Sequence, residues 1–366
     1  MERLNLRNYT LDELKELIKD LGEPSYRGEQ IFHWITCREA LTFNEMTNLP
    51  KTLRAKLTEK FSLELPQIIE KKTDIDETTK FVLKLKDGEI IETVVIPERD
   101  HYTLCVSTQV GCPIGCKFCL TGTMGFKRNL EVYEIIGQVV LGRRYLKEKG
   151  AILPLRNIVF MGMGEPLLNL ENLIKALKIL AHPKGFNYSK KRLTVSTVGI
   201  VERMDILAKE FPTALALSLH APIDEIRQKL IPAAKKYPIK EVISACKRFP
   251  RIKHGRITIE YILIKDVNCD LNSASKLAEL LKDYPFKVNL IPFNPHPDLP
   301  FKRPDEEEIE KFQKYLLSQG ILTTIRKSKG LGIQAACGQL RAKHIKKSNP
   351  NSMNFKSTVR TGFIIS

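Results

Sequence analysis

The 366-residue chain has no apolar run approaching the ~18 residues a membrane helix needs. The start, Met1-Glu2-Arg3-Leu4-Asn5, lacks the apolar core of a signal peptide. These two absences predict a cytoplasmic protein with no membrane association. Cysteine is scarce, eight residues in all, which excludes a disulfide scaffold and predicts reduced thiols, so any clustering of them points to metal or catalysis. Acid is short as well: 42 Asp plus Glu stand against 59 Lys plus Arg, a formal charge of +17. Such a field concentrates polyanions, and nucleic acid is the partner class it favours. Hydrophobic residues at 43% and charged residues at 28% exclude collagen-like, mucin-like and wholly disordered chains.

What is present reads first as helix. Leu11, Leu14, Leu17, Ile18 and Leu21 share a face that stops at Gly22 and Pro24. A second run covers Tyr26 to Thr36, and a third follows Pro50, so residues 1–75 are expected to be a small helical accessory module. From Lys80 the period becomes two. Phe81 to Leu85 and Ile90 to Ile96 flank Lys86-Asp87-Gly88, a hairpin signal, which predicts a β-hairpin extension over 76–100. Six strand-then-helix units follow, with strands near Thr103, Asn157, Leu193, Ala214, Ile257 and Lys287. Polar and glycine-rich features come just after these strands, as in a barrel. The fold class expected is therefore α/β, a partial (β/α)6 TIM-like barrel over 101–340. The last residues, 341–366, carry six Lys or Arg and no acid, and read as a mobile basic tail.

The most informative stretch is Cys112-Pro-Ile-Gly-Cys116-Lys-Phe-Cys119, three thiols in a glycine-containing loop after the first barrel strand. Three thiolates suit three corners of an iron–sulfur cube. Structural zinc normally takes four ligands, and Cys105, seven residues upstream, could in principle be the fourth. That alternative leaves a zinc-stabilised RNA-binding protein without catalysis. By themselves, Gly162-Met163-Gly164-Glu165-Pro166 reads as a tight turn, Glu92 as an outward-facing strand residue and His220 as a strand-end histidine.

The Cx3CxxC loop followed by Gly162-Met163-Gly164-Glu165-Pro166 resembles the cluster loop and glycine-rich motif of radical S-adenosylmethionine (SAM) enzymes. Further matches are Gly125-Phe126-Lys127-Arg128-Asn129-Leu130, Ile291-Pro292-Phe293-Asn294-Pro295, Ala335-Ala336-Cys337-Gly338-Gln339-Leu340 and the N-terminal Leu21-Gly22-Glu23-Pro24-Ser25-Tyr26-Arg27-Gly28. Together they resemble the RlmN/Cfr family of RNA adenine methyltransferases over residues 10–341. Where that family usually shows Asp-Ile, this chain has Gly332-Ile333.

The resemblance implies a [4Fe-4S] cluster on Cys112, Cys116 and Cys119, and two SAM molecules per turnover bound by Gly164, Glu165, Ser196, Ser218, Leu219, His220 and Asn294. It implies that Cys337 becomes S-methylcysteine and that a 5′-deoxyadenosyl radical activates the methyl group for addition to adenine. Cys105 would then free the RNA by a transient disulfide with Cys337, with Glu92 as proton acceptor. The implied substrates are C2 of adenine in the peptidyl-transferase loop of 23S rRNA and in tRNA 3′ of the anticodon; the alternative is the C8 antibiotic-resistance chemistry. A one-electron donor such as flavodoxin or ferredoxin is implied too, and the chain is expected to act as a monomer. Cys37, Cys246 and Cys269 read as inert thiols. The densest basic stretches are candidates for RNA phosphate contact: Lys184, Lys190, Lys191 and Arg192, then Lys247, Arg248, Arg251, Lys253, His254 and Arg256.

Overall fold

The computed structural model describes residues 3–252 and 255–341. The basic tail, apart from Arg341, lies outside the described residues, as do Lys253 and His254.

The chain opens with β1 (Leu4–Asn5) and helices α1 (Leu11–Asp20), α2 (Tyr26–Thr36) and α3 (Lys51–Lys60), followed by β2 (Phe61–Ser62). Thr10 caps α1 reciprocally with Glu13, satisfying two of the amide groups that a helix start leaves open. Leu11, Leu14 and Ile18 are the buried face. A Cβ on Gly28 of α2 would lie 2.9 Å from the Lys15 backbone, so glycine is what lets the two helices cross this closely. Arg7 is buried, donating from Nη1 to the Ile35 carbonyl at 2.5 Å and from Nη2 to that of Ala40 at 2.6 Å.

The remaining chain builds a ten-stranded sheet. Three strands, β3 (Gln67–Thr73), β4 (Thr79–Lys84) and β5 (Ile90–Pro97), form an antiparallel meander. β5 pairs antiparallel with β6 (Tyr102–Cys105), Val94 opposite Cys105. After β6 come the short pair β7 (Gln109–Gly111) and β8 (Phe126–Asn129), which flank α4 (Leu120–Thr123), and then α5 (Val132–Glu148). Strands and helices then alternate: β9 (Leu155–Phe160), α6 (Leu170–Ala181), β10 (Leu193–Thr197), α7 (Val201–Glu210), β11 (Ala214–Ser218), α8 (Asp224–Leu230), α9 (Ile239–Arg248), β12 (Ile257–Leu263), α10 (Leu271–Leu281), β13 (Phe286–Pro292), α11 (Glu306–Ser318) and β14 (Leu322–Ile325). The order is β14-β13-β12-β11-β10-β9-β6-β5-β4-β3, and every neighbour from β6 to β14 is parallel. Because β14 and β3 remain edges, the barrel is open, as expected from its six βα units.

Two strands of this sheet escape the sequence pattern. β3 falls inside the stretch expected to be helical, and it makes the expected hairpin a three-stranded meander continuous with the barrel sheet. Its residues are almost all exposed, so no alternation marks it, and its charges suit an edge strand. β14 is four residues with one buried side chain, too little for a signal, yet it adds a seventh parallel strand. Among the described residues, no helix is long and apolar enough to cross a membrane.

Candidate active site

The three-cysteine loop leaves the carboxyl end of β6 and is shaped by close backbone contacts. Gly111 has φ +73°, and a Cβ there would fall 1.9 Å from the Gly125 carbonyl oxygen, so no other residue fits. The Lys117 N–H donates to the Leu230 carbonyl at 2.9 Å, and the Leu120 N–H to that of Gly338 at 2.8 Å. One side of the loop is thereby tied to α8 and the other to the carboxyl-terminal segment. Cys112, Cys116 and Cys119 all line one cavity of about 160 Å³, and all three are free thiols. Burial, aided by neighbouring sulfurs, pushes Cys112 up to about 12 and raises Cys116 and Cys119. Thiolates in this setting call for a cation. Among the described residues no three His, Cys, Asp or Glu side chains gather around one point as they would about a single metal ion. Three thiols spread around one cavity fit a cluster whose irons each take one ligand.

The same cavity is walled by the ends of β9, β10, β11 and β12, where a barrel places its chemistry. Gly162, Gly164, Glu165, Ser196, Ser218 and His220 line it. A Cβ on Gly162 would meet the Ser107 Oγ at 2.7 Å, and one on Gly164 (φ +103°) the Gln109 Cβ at 2.6 Å. These glycines let the turn lie directly on the chain leaving β6. Glu165 accepts N–H bonds from Leu167 at 3.1 Å and Val198 at 3.0 Å, while burial lifts its carboxyl to about 7. A cationic ligand group beside it would hold it ionised. The hydroxyls of Ser196 and Ser218 are 3.2 Å apart. His220 accepts the Ile262 N–H on Nδ1 at 3.0 Å, and burial lowers it to about 3. It is therefore neutral, with its proton on Nε2. Leu219 is fully buried and does not line the cavity; its N–H donates to the Glu260 carbonyl at 3.1 Å, so any role it has toward a ligand runs through the main chain.

A second cavity, about 350 Å³, adjoins the first. It is lined by Cys105, Asn294, Arg326, Cys337 and Leu340, among others. Cys119, Met161, Gly162, Ile291, Arg326, Cys337 and Gly338 belong to both walls. Cys337 thus stands between the three-cysteine loop and Cys105. Burial, with Cys337 next in effect, pushes the Cys105 thiol up to about 12. Asn294 accepts the Ser328 hydroxyl at 2.7 Å and donates to the Cys337 carbonyl at 3.5 Å; it lines the second cavity, not the first.

Glu92 does not face outward. It is 3% exposed, lies 3.1 Å from the Lys80 Nζ and accepts the Arg341 N–H at 2.9 Å. Burial raises its carboxyl and Lys80 pulls it back. It borders the Cys337 segment without lining either cavity. Gly332 also finds its reason: its N–H donates to Asp74 Oδ2 at 2.9 Å, and a Cβ would lie 2.7 Å from Asp74 Oδ1. Asp74 supplies a carboxylate beside the position where the family usually carries Asp.

The described residues of the basic stretches, 184–192, 247–252 and 255–256, lead into β10 and β12, and none of them lines either cavity. Lys184 pairs with Glu29 at 2.7 Å, and Arg248 with Asp205 at 2.9 Å. Sequence reasoning missed Arg326, which lines both cavities and is held charged chiefly by Cys337, then by Glu260 and Cys105. It directly follows the unrecognised strand β14, so no signal marked it. Of the other cysteines, Cys246 is buried in α9, whereas Cys37 and Cys269 are partly buried beside helices.

Comparison with known proteins agrees with this geometry. Residues 4–63 match the ribosomal RNA large subunit methyltransferase N-terminal domain family, and residues 106–278 the radical SAM superfamily. A protein of Solidesulfovibrio magneticus named dual-specificity RNA methyltransferase RlmN is 46% identical over 338 residues, 92% of this chain and 96% of its own. One of the same name from Nautilia profundicola is 46% identical over 352 residues, covering 92% and 98%. The crystal structure of a radical SAM methyltransferase from Sphaerobacter thermophilus superposes with a TM-score of 0.88 at 45% identity, over 93% of this chain and all of that one. From the helical module to the cysteine segment beyond β14, the chain belongs to the RlmN family of radical SAM RNA methyltransferases.

Proposed function

We propose that this methyltransferase modifies C2 of adenine in 23S rRNA and in tRNA, through S-methylcysteine at Cys337 and a transient protein–RNA bond that Cys105 resolves. The observation carrying this reading is the position of Cys337 in the wall shared by two cavities, one bearing Cys112, Cys116 and Cys119, the other Cys105. Adenine C2 is an electron-poor amidine carbon, so the direct methyl transfer open to nitrogen and oxygen nucleophiles is closed to it.

In this reading Cys112, Cys116 and Cys119 hold a [4Fe-4S] cluster, which supplies, when bound, the electron for reductive cleavage of SAM. Gly164, Glu165, Ser196, Ser218 and His220 hold the cosubstrate, two molecules per turnover, with the Glu165 carboxylate taking its ammonium group. Leu219 serves through its backbone, and Asn294 acts from the neighbouring cavity, where it also steadies the Cys337 segment. The Cys337 thiolate takes the first methyl group by displacement, with the Arg326 guanidinium beside it as counter-charge. Glu92, beside Lys80, receives the proton lost from the base. The Cys105 thiolate then attacks the Cys337 sulfur, and an S–S bond forms as the bond from that sulfur to the methylene carbon breaks. The carbon keeps the electron pair, delocalised into the purine, and takes up a proton to become the methyl group, and the RNA leaves. An external one-electron donor and a monomeric chain complete the proposal.

Mass spectrometry of nucleosides tests it, after expression in a host lacking its own adenine-C2 methylase. 2-Methyladenosine is expected in both the 23S rRNA and tRNA fractions. 8-Methyladenosine, or no new nucleoside, would overturn the assignment.

A further inference from the structure

The electron that starts the radical step comes from outside the chain, so a carrier must dock close to the three-cysteine loop. We infer that Lys117, Lys229 and Lys235 form the docking surface for an acidic one-electron carrier protein. This inference rests on the cluster reading given above.

Lys117 stands between Cys116 and Cys119, and its side chain is exposed. Its N–H bond to the Leu230 carbonyl, 2.9 Å long, fastens this part of the loop to the end of α8. Lys229 on α8 and Lys235 in the turn after it are exposed too. Ion pairs within 4.0 Å are made by many lysines of this protein, including Lys236 with Glu202 at 3.7 Å, but by none of these three among the described residues. Glu225 is the exposed acid on the same helix, and Asp224 is occupied in accepting the Ile239 N–H at 2.9 Å. Beneath them Arg227 turns inward, fully buried, donating to the carbonyls of Leu219, Tyr237 and Val198. The surface over Cys116 therefore offers unneutralised positive charge on a scaffold held from below. Its complement is an acidic protein, and charge of this kind acts chiefly on the rate of encounter.

RNA is also a polyanion, yet the geometry favours the carrier. The reacting base must reach Cys105 and Cys337, and that cavity has cations of its own in Lys327 and Lys329. The loop meets the Cys337 segment through Leu120 and Thr121, on the other side from Lys117 and α8, and none of the three lysines lines either cavity. Docking there leaves the RNA side clear. One electron passes from the carrier's reduced centre to the oxidised cluster, with no proton or group transferred.

The test uses reconstituted holoenzyme carrying Lys229→Glu with Lys235→Glu, and separately Lys117→Glu. Stopped-flow absorbance follows reduction of the cluster by reduced flavodoxin and by dithionite. The flavodoxin rate constant should fall tenfold or more at low salt, and the deficit should shrink at high salt. Reduction by dithionite and affinity for substrate RNA should be unchanged in the double variant. Unaltered flavodoxin rates in both variants would overturn the docking surface. Lost RNA affinity with unaltered flavodoxin rates would overturn it and give the patch to RNA. A wild-type protein without any dithionite-reducible chromophore would instead overturn the cluster reading itself.

Discussion

Replacing Lys80 by methionine removes the cation that, among the described residues, faces the Glu92 carboxylate at close range. Glu92 and Lys80 are 3% and 7% exposed, and their charged atoms are 3.1 Å apart. Lys80 also donates to the Gln334 carbonyl at 3.1 Å. Once Lys80 is gone, the carboxylate keeps, among the described residues, the Arg341 N–H. Breaking a buried pair from one side costs about 3–5 kcal/mol, which at roughly 2 °C per kcal/mol for a chain of this size lowers Tm by about 6–10 °C. The sign with pH follows from burial. The folded-state pKa of Glu92 is raised above its ordinary value, so the folded protein binds more protons in the window between the two values, and stability falls as pH rises through it. Lys80→Met widens that window upward. The Tm deficit, read by differential scanning calorimetry, should therefore be smallest in the ordinary carboxylate range and grow as pH rises above it. Lys80→Met with Glu92→Leu, apolar on both sides, should recover most of the stability and none of the methylation, because the proton acceptor is gone. A deficit under about 1 kcal/mol without pH dependence would refute the buried-charge argument, and turnover by the double variant would refute the role of Glu92.

The remaining predictions concern the cavities. Cys105→Ala should accumulate a nuclease-sensitive protein–RNA adduct on denaturing gels, whereas Cys337→Ala and the double variant should form none; normal turnover by Cys105→Ala would sink the two-cysteine mechanism. Cys112→Ala, Cys116→Ala or Cys119→Ala should each abolish cluster binding, since two thiolates hold a cubane poorly; full iron content in any of them would remove the assignment. Gly162→Ala should destabilise the protein by about 1–3 kcal/mol and weaken SAM binding at least tenfold by calorimetry, because the new Cβ would press on Ser107 at 2.7 Å.

Where side chains carry their own pattern, the fold was legible. Leu11–Asp20, Tyr26–Thr36 and Leu193–Thr197 form the elements that their periodicity predicts, because each has one face buried against the core. The three thiols were legible because they crowd eight residues of a chain otherwise poor in cysteine. What stayed hidden depends on pairing between distant segments. β3 is held through its backbone, and its exposed side chains encode nothing. Lys80 and Glu92 meet diagonally across a hairpin in which Val82, not Lys80, lies opposite Glu92. Arg326 acquires its place only when Cys105 and Cys337, far apart in sequence, come to one wall. Basic residues misled in the opposite direction: the densest stretches are conspicuous in sequence because they lie in surface segments entering strands, whereas the cations beside the reacting sulfurs are scattered.

The open barrel explains how Cys337 comes to its position. A closed barrel pairs its first and last strands and leaves no gap between them. Here β3 and β14 remain unpaired edges, and the segment from Arg326 to Arg341 runs back from β14 toward the meander. At the meander it is fastened by Gly330 to Asp76 at 2.9 Å, Gly332 to Asp74 at 2.9 Å, Gln334 to Lys80 at 3.1 Å and Arg341 to Glu92 at 2.9 Å. At β13 the fastening is Asn294, and at the three-cysteine loop it is Thr121, whose hydroxyl donates to the Leu340 carbonyl at 2.7 Å. Three separate parts of the fold thus converge on sixteen residues with Cys337 among them, while the second cavity remains beside the segment as a space large enough to face both thiols. The antiparallel meander therefore does more than extend the sheet: its carboxylates and Lys80 anchor the far end of the segment that carries Cys337. The same bonds make Glu92 and Cys337 parts of one bridge, so a change that loosens Glu92 from Arg341 should displace Cys337 as well.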